Sequence, residues 1–169
     1  MYKRIFAILA AIVTALFLFS SPATAANGNP HFIKNATSAA LSGSSLVVSF
    51  KEAGLPSGAT ETVTVTASAT TTYECVNGGG NNPKASNKTT TKTDVSASGT
   101  FTADQNGNIT GSLTLTPPSA TALGFSCPPG QTVTFVSVTY SNVVITDSTS
   151  GATFSFGTKT FTYTNPLAP

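Results

Sequence analysis

The amino-acid sequence predicts an all-β protein in which antiparallel strands form a two-sheet sandwich of seven to eight strands. Apolar β-branched and aromatic residues alternate with Ser and Thr, as in strands that bury one face. Turn-forming stretches rich in Gly, Asn and Pro separate these segments, and no segment has the apolar period of an amphipathic helix. Only 8% of the residues are charged, so the composition favours a folded sheet over a disordered chain.

The first 25 residues have the three parts of a secretory signal peptide. Lys3 and Arg4 precede an apolar run from Ile5 to Phe19, and an Ala-x-Ala cleavage sequence ends at Ala25. The run of about 15 residues is short for a membrane-spanning helix, which needs about 20. We therefore predict a secreted, extracellular protein that has no membrane association after cleavage. An uncleaved anchor is the alternative.

The rest of the chain is predicted to comprise an irregular N-terminal lead-in over 26–44 and a single β-sandwich domain over 45–165. Six lysines balance six acidic residues in this part, and it contains no arginine. Nucleic acids and anionic membranes attract clustered cations. The sequence therefore predicts neither as a partner.

Two strands open the predicted domain. Residues 45–51 alternate, with Leu46, Val48 and Phe50 on one face and the odd positions, including Val47, on the other, and the Gly- and Pro-containing stretch 53–59 interrupts strand pairing. Residues 61–76 then form a long strand whose odd positions share one face. Cys75 is thereby predicted to face the core.

A hairpin follows an exposed loop. Residues 77–92 are polar and rich in glycine, which predicts the loop. Residues 93–102 and 109–116 form the two arms, and 103–108 form the turn, because Asn-Gly between alternating apolar arms is a strong hairpin signal. Two prolines end the second arm, since proline cannot donate a ladder hydrogen bond.

The C-terminal part contains the longest predicted strand. A second loop over 119–130 leads into a strand over 131–147, in which the apolar positions shift from odd to even after Phe135 and back to odd by Val143. Either β-bulges or a strand covered on both faces would explain these shifts. A turn at 147–151 follows. Aromatic residues then supply the returning strands: Phe154, Phe156, Phe161 and Tyr163.

Cys75 and Cys127 are the two cysteines of the chain. An exported protein allows them to pair, and we predict a structural disulfide that closes a loop of roughly 50 residues. Two free thiols are the alternative. No Cys-x-x-Cys spacing points to redox chemistry.

No residue set points to catalysis, and we predict a non-enzymatic protein without cofactor or metal. His31 is the single histidine, which leaves a Ser-His-Asp device or a zinc site without support. Residues 104–108 resemble a calcium loop but lack its sixth-position Gly and distal Glu, so a hairpin turn is favoured. Glu52, Glu61 and Glu74 lack any motif of a glycosidase acid, and a single Glu on a strand is usually solvated.

Three positions match the Asn-x-Thr acceptor pattern for N-glycosylation: Asn35, Asn87 and Asn108. A chain this rich in Thr also produces such matches by chance. They predict modification only in a eukaryotic source.

Two stretches resemble known secreted modules. Residues 49–65, SFKEAGLPSGATETVTV, resemble the strand, Gly-Leu-Pro-x-Gly connection and strand of immunoglobulin-like modules in prokaryotic surface and secreted proteins. Residues 101–115, FTADQNGNITGSLTL, resemble the hairpin of similar modules, including the neocarzinostatin-like apoproteins that carry chromophores. The whole chain also looks like small secreted proteins of unknown function. The resemblance implies an immunoglobulin-like sandwich, but those apoproteins have two short-range disulfides, so their ligand is not implied.

The leading functional hypothesis is a secreted structural or adhesive component of the cell surface or extracellular matrix that binds a cell-wall or extracellular polymer. The first alternative is a soluble carrier of a small apolar ligand, lined by Tyr73, Phe125 and Tyr140. The second alternative is an inhibitor that presents 77–92 or 119–130 as a protruding loop. A pocket of several hundred cubic ångströms beside those loops would favour the carrier, and a filled core with a flat polar face would favour the surface protein.

Overall fold

The computed structural model describes residues 28–77 and 87–168. The predicted signal peptide and the centre of the predicted loop at 77–92 lie outside these residues. Nine strands lie in the described part of the chain: β1 (His31–Phe32), β2 (Ser38–Ser42), β3 (Ser45–Ala53), β4 (Thr60–Asn77), β5 (Lys88–Thr102), β6 (Ile109–Leu115), β7 (Gln131–Asp147), β8 (Thr153–Ser155) and β9 (Phe161–Thr164). They form two antiparallel sheets, which confirms the predicted all-β sandwich.

The two sheets have four and five strands. In the smaller sheet, β3 pairs with β6 along one side and with β1 and β2 along the other. In the larger sheet the order is β5, β4, β7, and the short strands β8 and β9 pair with successive parts of β7. The prediction of a hairpin over 93–116 was wrong, because β5 pairs with β4 and β6 pairs with β3 in the other sheet. The turn between β5 and β6 instead joins the two sheets on one side. The other side is bordered by the short strands of both sheets.

The core lies between the sheets and is filled by the face that alternation predicts. Even positions of β3 and odd positions of β4 point inward, and Cys75 is buried as expected. Phe50 packs edge-on against Phe32 and Phe101, with ring centroids 5.8 and 5.1 Å apart. The largest fully buried side chain is that of Tyr140, whose hydroxyl donates to the carbonyl oxygen of Ser44 at 2.9 Å.

Two irregularities in the pairing of β4 with β7 explain the shifts of apolar parity in β7. The register moves by one residue between Thr66 and Ser68 and again between Thr72 and Tyr73. Asn142 lies in the first of them and has φ 53, a left-handed conformation that Asn tolerates better than most residues. Because each bulge flips the later side chains, Val138, Tyr140, Val143 and Ile145 all reach the core. The bulge interpretation is therefore correct for this strand.

The prediction of an irregular lead-in was wrong for two segments, β1 and β2, which bring the strand number above eight. β2 pairs with β3 through a two-residue turn at Gly43 and Ser44, with Ser42 opposite Ser45. All but one of the five side chains of β2 are exposed. Without a buried face, the strand shows no alternation of apolar and polar residues in its sequence. The pairing rests on backbone hydrogen bonds, which leave no mark in the apolar pattern.

The predicted loop at 77–92 was also wrong in its last part, since 88–92 extend β5. These residues carry three consecutive threonines, which suit a pleated strand. They pair with β4, where the Thr90 and Thr72 hydroxyls are hydrogen-bonded at 3.0 Å and Lys88 Nζ lies 2.8 Å from Glu74 Oε2. Cross-strand polar contacts stabilise this part of the strand without a buried side chain.

The turn over 103–108, between β5 and β6, supports the connection between β3 and β4. Asp104 Oδ1 accepts the backbone N–H groups of Asn106 at 2.8 Å and Asn108 at 2.9 Å, and these bonds, that of Asn108 first, lower the pKa of Asp104. Gly107 has φ 71, and its carbonyl oxygen accepts the N–H of Leu55 at 3.0 Å. The turn thus holds the buried Leu55 in place.

Replacement of Gly107 by Ala is expected to destabilise the protein by about 2 kcal/mol. Ala resists positive φ, and its Cβ would collide with the carbonyl oxygen of Leu55. Gly43→Ala is the matched control, because Gly43 has φ 57 and open space around it; its expected cost is about 1 kcal/mol. Urea denaturation measures both, and equal costs would show that the contact with Leu55 contributes nothing.

Candidate functional site

The outer face of the larger sheet is an array of hydroxyl groups. Every even position of β4 from Thr62 to Thr72 points away from the core and is Ser or Thr. Most residues opposite them on β5 and β7, and those on β9 beyond, are also Ser or Thr; the exceptions are Lys92, Asp94 and Val144. We call this set the hydroxyl face: Thr62, Thr64, Thr66, Ser68, Thr70, Thr72, Thr90, Ser96, Ser98, Thr100, Ser137, Thr139, Ser141, Thr146, Thr162 and Thr164.

Hydrogen bonds between neighbouring strands order part of the hydroxyl face. The hydroxyls of Thr64 and Ser98 lie 2.7 Å apart, and those of Thr139 and Thr162 lie 2.9 Å apart. Side chains on one face of a sheet repeat at about 4.8 Å across strands and about 7 Å along them. The face therefore offers donors and acceptors in a regular two-dimensional array with few charges.

A shallow depression of about 360 Å³ interrupts the hydroxyl face beside the bulge at Asn142. Thr66, Ser68, Asp94 and Ser96 line it together with Asn142. Ser68 Oγ donates to Asp94 Oδ1 at 2.8 Å, which leaves further lone pairs of that carboxylate for a ligand. Hydroxyl, carboxylate and amide groups together can hydrogen-bond the hydroxyls of a saccharide.

A second concavity, which we call the edge cleft, lies between the edges of the two sheets and has a volume of about 530 Å³. One wall comes from the 3-10 helix Lys34–Ala36 and from β2. The other wall comes from β8, β9 and the segment between them. Its side chains include two lysines, a threonine and three phenylalanines: Lys34, Thr37, Phe154, Phe156, Lys159 and Phe161.

Three acidic side chains meet inside the sandwich, and we call them the carboxyl cluster: Glu52 of β3, Glu61 of β4 and Asp147 of β7. Their exposed fractions are 0%, 3% and 0%. Ser150 Oγ donates to Glu52 Oε1 at 2.8 Å, and Asp147 Oδ1 accepts the N–H of Thr149 at 2.8 Å. One oxygen of each carboxyl group, Glu52 Oε2, Glu61 Oε2 and Asp147 Oδ2, has no hydrogen-bond donor among the described residues.

Raised pKa values of two glutamates explain how three carboxyl groups can be buried together. Burial raises the pKa of Glu52 to about 7, with Asp147 and Glu61 adding to the effect, and burial followed by the neighbouring Asp147 raises the pKa of Glu61. A protonated carboxyl can donate to the free oxygen of its neighbour. The residues that the structure describes contain no group of three or more His, Cys, Asp or Glu arranged to hold a metal ion.

The expectation of solvated glutamates on the strands was wrong for this cluster and also for Glu74, which is 1% exposed and paired with Lys88. For the cluster, the sequence carried the signal. Glu52 has the even parity of the buried positions of β3, and Glu61 has the odd parity of those of β4. Asp147 likewise continues the buried odd positions of β7. A charged residue in a buried register position is therefore the feature that sequence reasoning overlooked.

The predicted disulfide is confirmed. Cys75 at the end of β4 is bonded to Cys127 in the loop before β7, with the Cα atoms 5.6 Å apart. Tyr73 reinforces the attachment, because its hydroxyl donates to the carbonyl oxygen of Pro118 at 2.9 Å. The loop is thus joined to β4 at two points.

The three aromatic residues predicted to line a ligand site are placed in two locations. Tyr73 and Phe125 lie together, with ring centroids 6.5 Å apart. Tyr140 lies in the core, where burial raises the pKa of its hydroxyl to about 12. None of the three lines the edge cleft or the depression at Asn142.

These features define a class of protein rather than a family. The chain is a two-sheet antiparallel β-sandwich with one disulfide in its described part and an outer face of hydroxyl side chains. In the described ranges, no helix has the length and apolar character needed to cross a membrane. No protein-family model, no curated protein and no solved structure matches the chain.

Proposed function

We propose that this protein is a secreted, non-enzymatic β-sandwich that serves as a structural or adhesive component of the cell surface or extracellular matrix and binds a polymer. The observation that carries the proposal is the hydroxyl face, which extends over four strands of the larger sheet. The predicted signal peptide supports export. The disulfide is also consistent with an oxidising compartment.

A repeating neutral polymer is the ligand that suits such a face. A single hydrogen bond contributes only about 1 kcal/mol in water, so one sugar would bind weakly. A polysaccharide presents many hydroxyls at once, and its units bind with a high effective concentration after the first contact. The charged side chains Lys92 and Asp94 belong to β5, at one edge of the sheet, and leave the centre neutral.

Binding to insoluble polysaccharide tests the proposal. Mature protein is incubated with washed cell wall of the producing culture, with cellulose and with chitin, and the bound fraction is measured after sedimentation. The double variant Thr66→Val and Thr70→Val removes two hydroxyls that make no hydrogen bond with another described side chain, and keeps the β-branched shape. We expect its affinity for the retaining polymer to fall about thirtyfold, as the loss of two hydrogen bonds of about 1 kcal/mol each would cause.

The outer face of the smaller sheet provides the matched control. Thr110 and Thr114 are exposed on β6, and their double replacement by Val makes the same chemical change on the opposite side of the sandwich. This variant should bind as the wild type does. Equal losses in both double variants, or wild-type protein that stays entirely in solution with every polymer, would contradict binding through the hydroxyl face.

A further inference from the structure

The edge cleft combines an apolar wall with cationic rims. Phe156 packs edge-on against Phe154 and Phe161, with ring centroids 5.1 and 6.3 Å away. All three rings are only partly buried, so apolar surface remains available to a ligand. A volume of about 530 Å³ lies within the range of pockets that enclose small organic molecules, roughly 300–1,000 Å³.

Positive charge stands on both walls of the edge cleft. Lys34 belongs to the four-stranded side and Lys159 to the five-stranded side, and both are exposed. No Asp or Glu lines the cleft, and neither lysine forms an ion pair within the described residues. The cleft therefore carries two uncompensated ammonium groups beside an apolar surface.

A buried hydroxyl gives the cleft a third element. Thr37 lines the cleft and is 7% exposed, yet its Oγ1 atom has no hydrogen-bond partner in the described part of the chain. An unpaired buried hydroxyl costs free energy unless a ligand or water satisfies it. A ligand with an acceptor group can accept a hydrogen bond from Thr37 Oγ1.

We propose that the edge cleft binds a small amphipathic anion, with an aromatic or aliphatic body against the phenylalanines and one acidic head group near the lysines. Charge complementarity selects the anion, since the rim attracts a negative head and repels a positive one. Inorganic anions should bind poorly, because they have no apolar body to cover the phenylalanine surface. This site goes beyond the proposed polymer binding and shares no residue with the hydroxyl face.

A pair of fluorescent probes tests the site. 1-Anilinonaphthalene-8-sulfonate has an anionic head, and N-phenyl-1-naphthylamine has the same aromatic body without it. We expect saturable one-to-one binding of the sulfonate with a fluorescence increase that weakens at high salt, and at least tenfold weaker binding of the neutral probe. Equal affinity for the two probes, or no saturable binding of the sulfonate, would overturn the proposal.

Variants locate the site. Lys34→Gln with Lys159→Gln should weaken binding of the sulfonate about tenfold and leave the neutral probe unaffected. Lys51→Gln with Lys92→Gln changes the net charge equally outside the cleft and should have no effect. Thr37→Val should weaken binding of the sulfonate about fivefold, since it removes one hydrogen bond. Equal losses in the two lysine pairs would show attraction by net charge alone and would reject the cleft, whatever the outcome with polysaccharide.

Discussion

Reduction of the Cys75–Cys127 disulfide is expected to lower the free energy of unfolding by about 4 kcal/mol. The bond closes a loop between residues separated by 52 positions, and the reduced unfolded chain regains the entropy that this closure removes. Urea denaturation with and without a phosphine reductant measures the difference. Thiol titration in the same samples verifies that the bond has opened.

The double variant Cys75→Ser and Cys127→Ser separates the bond from side effects of the reductant. Its stability should match that of the reduced wild type within the cost of two conservative changes, and added reductant should leave it unchanged. Limited proteolysis of the variant should cut first within 117–130, because that loop loses its covalent attachment to β4 and is held there by its contacts with Tyr73. An unchanged denaturation midpoint in fully reduced protein would contradict this account.

Raising the pH from 4.5 to 8 is expected to reduce stability by about 3 kcal/mol through Glu52. Its pKa is about 7 in the folded protein and near the ordinary 4.5 in the unfolded chain. The folded state therefore holds the proton more tightly, so the stabilisation is complete below pH 4.5 and is lost as the pH rises through 7. The raised pKa of Glu61 acts in the same direction.

Glu52→Gln tests the carboxyl cluster. The amide keeps the shape, carries no charge and can donate to Asp147, so the variant should be about 2 kcal/mol more stable than the wild type at pH 8 and lose most of the dependence on pH. Asp94→Asn removes an exposed carboxylate and should leave the dependence intact. Thermal denaturation at pH 5 and pH 8 measures all three proteins. A variant less stable than the wild type at pH 8 would show that the folded protein requires the Glu52 carboxylate.

Measurements below pH 4.5 would mix two effects. The pKa of Asp104 is lowered by its hydrogen bonds in the turn over 103–108, so the contribution of that carboxylate is present above its unfolded pKa and is lost as the pH falls through the folded value. This trend is opposite to that of Glu52. The window from 4.5 to 8 isolates the carboxyl cluster.

Local patterns in the sequence were sufficient for most of the larger strands. The bounds of β7 and the inward face of β4 follow from alternation, and the turn at 103–108 follows from Asn-Gly between apolar arms. The parity shifts of β7 left open either bulges or a strand covered on both faces, and the two register shifts in its pairing with β4 decided for bulges. β1 was missed because two residues are too few to show a period of two, although Phe32 is buried. β2 and the first residues of β5 were missed because they have no buried side chain, and their pairing depends on backbone and polar contacts.

The candidate sites, in contrast to the larger strands, depend mainly on the tertiary structure. The sequence by itself determined a β-sandwich with a disulfide, because apolar alternation and two cysteines act through local geometry and simple pairing. The tertiary structure alone decided that β4, β5, β7 and β9 align their hydroxyls on one face, that Lys34 and Lys159 flank one cleft, and that the carboxyls of Glu52, Glu61 and Asp147 meet. Each of these arrangements depends on the order and register of strands that are distant in the chain. Strand order and register are selected when whole strands pair, so no single segment of the sequence specifies them.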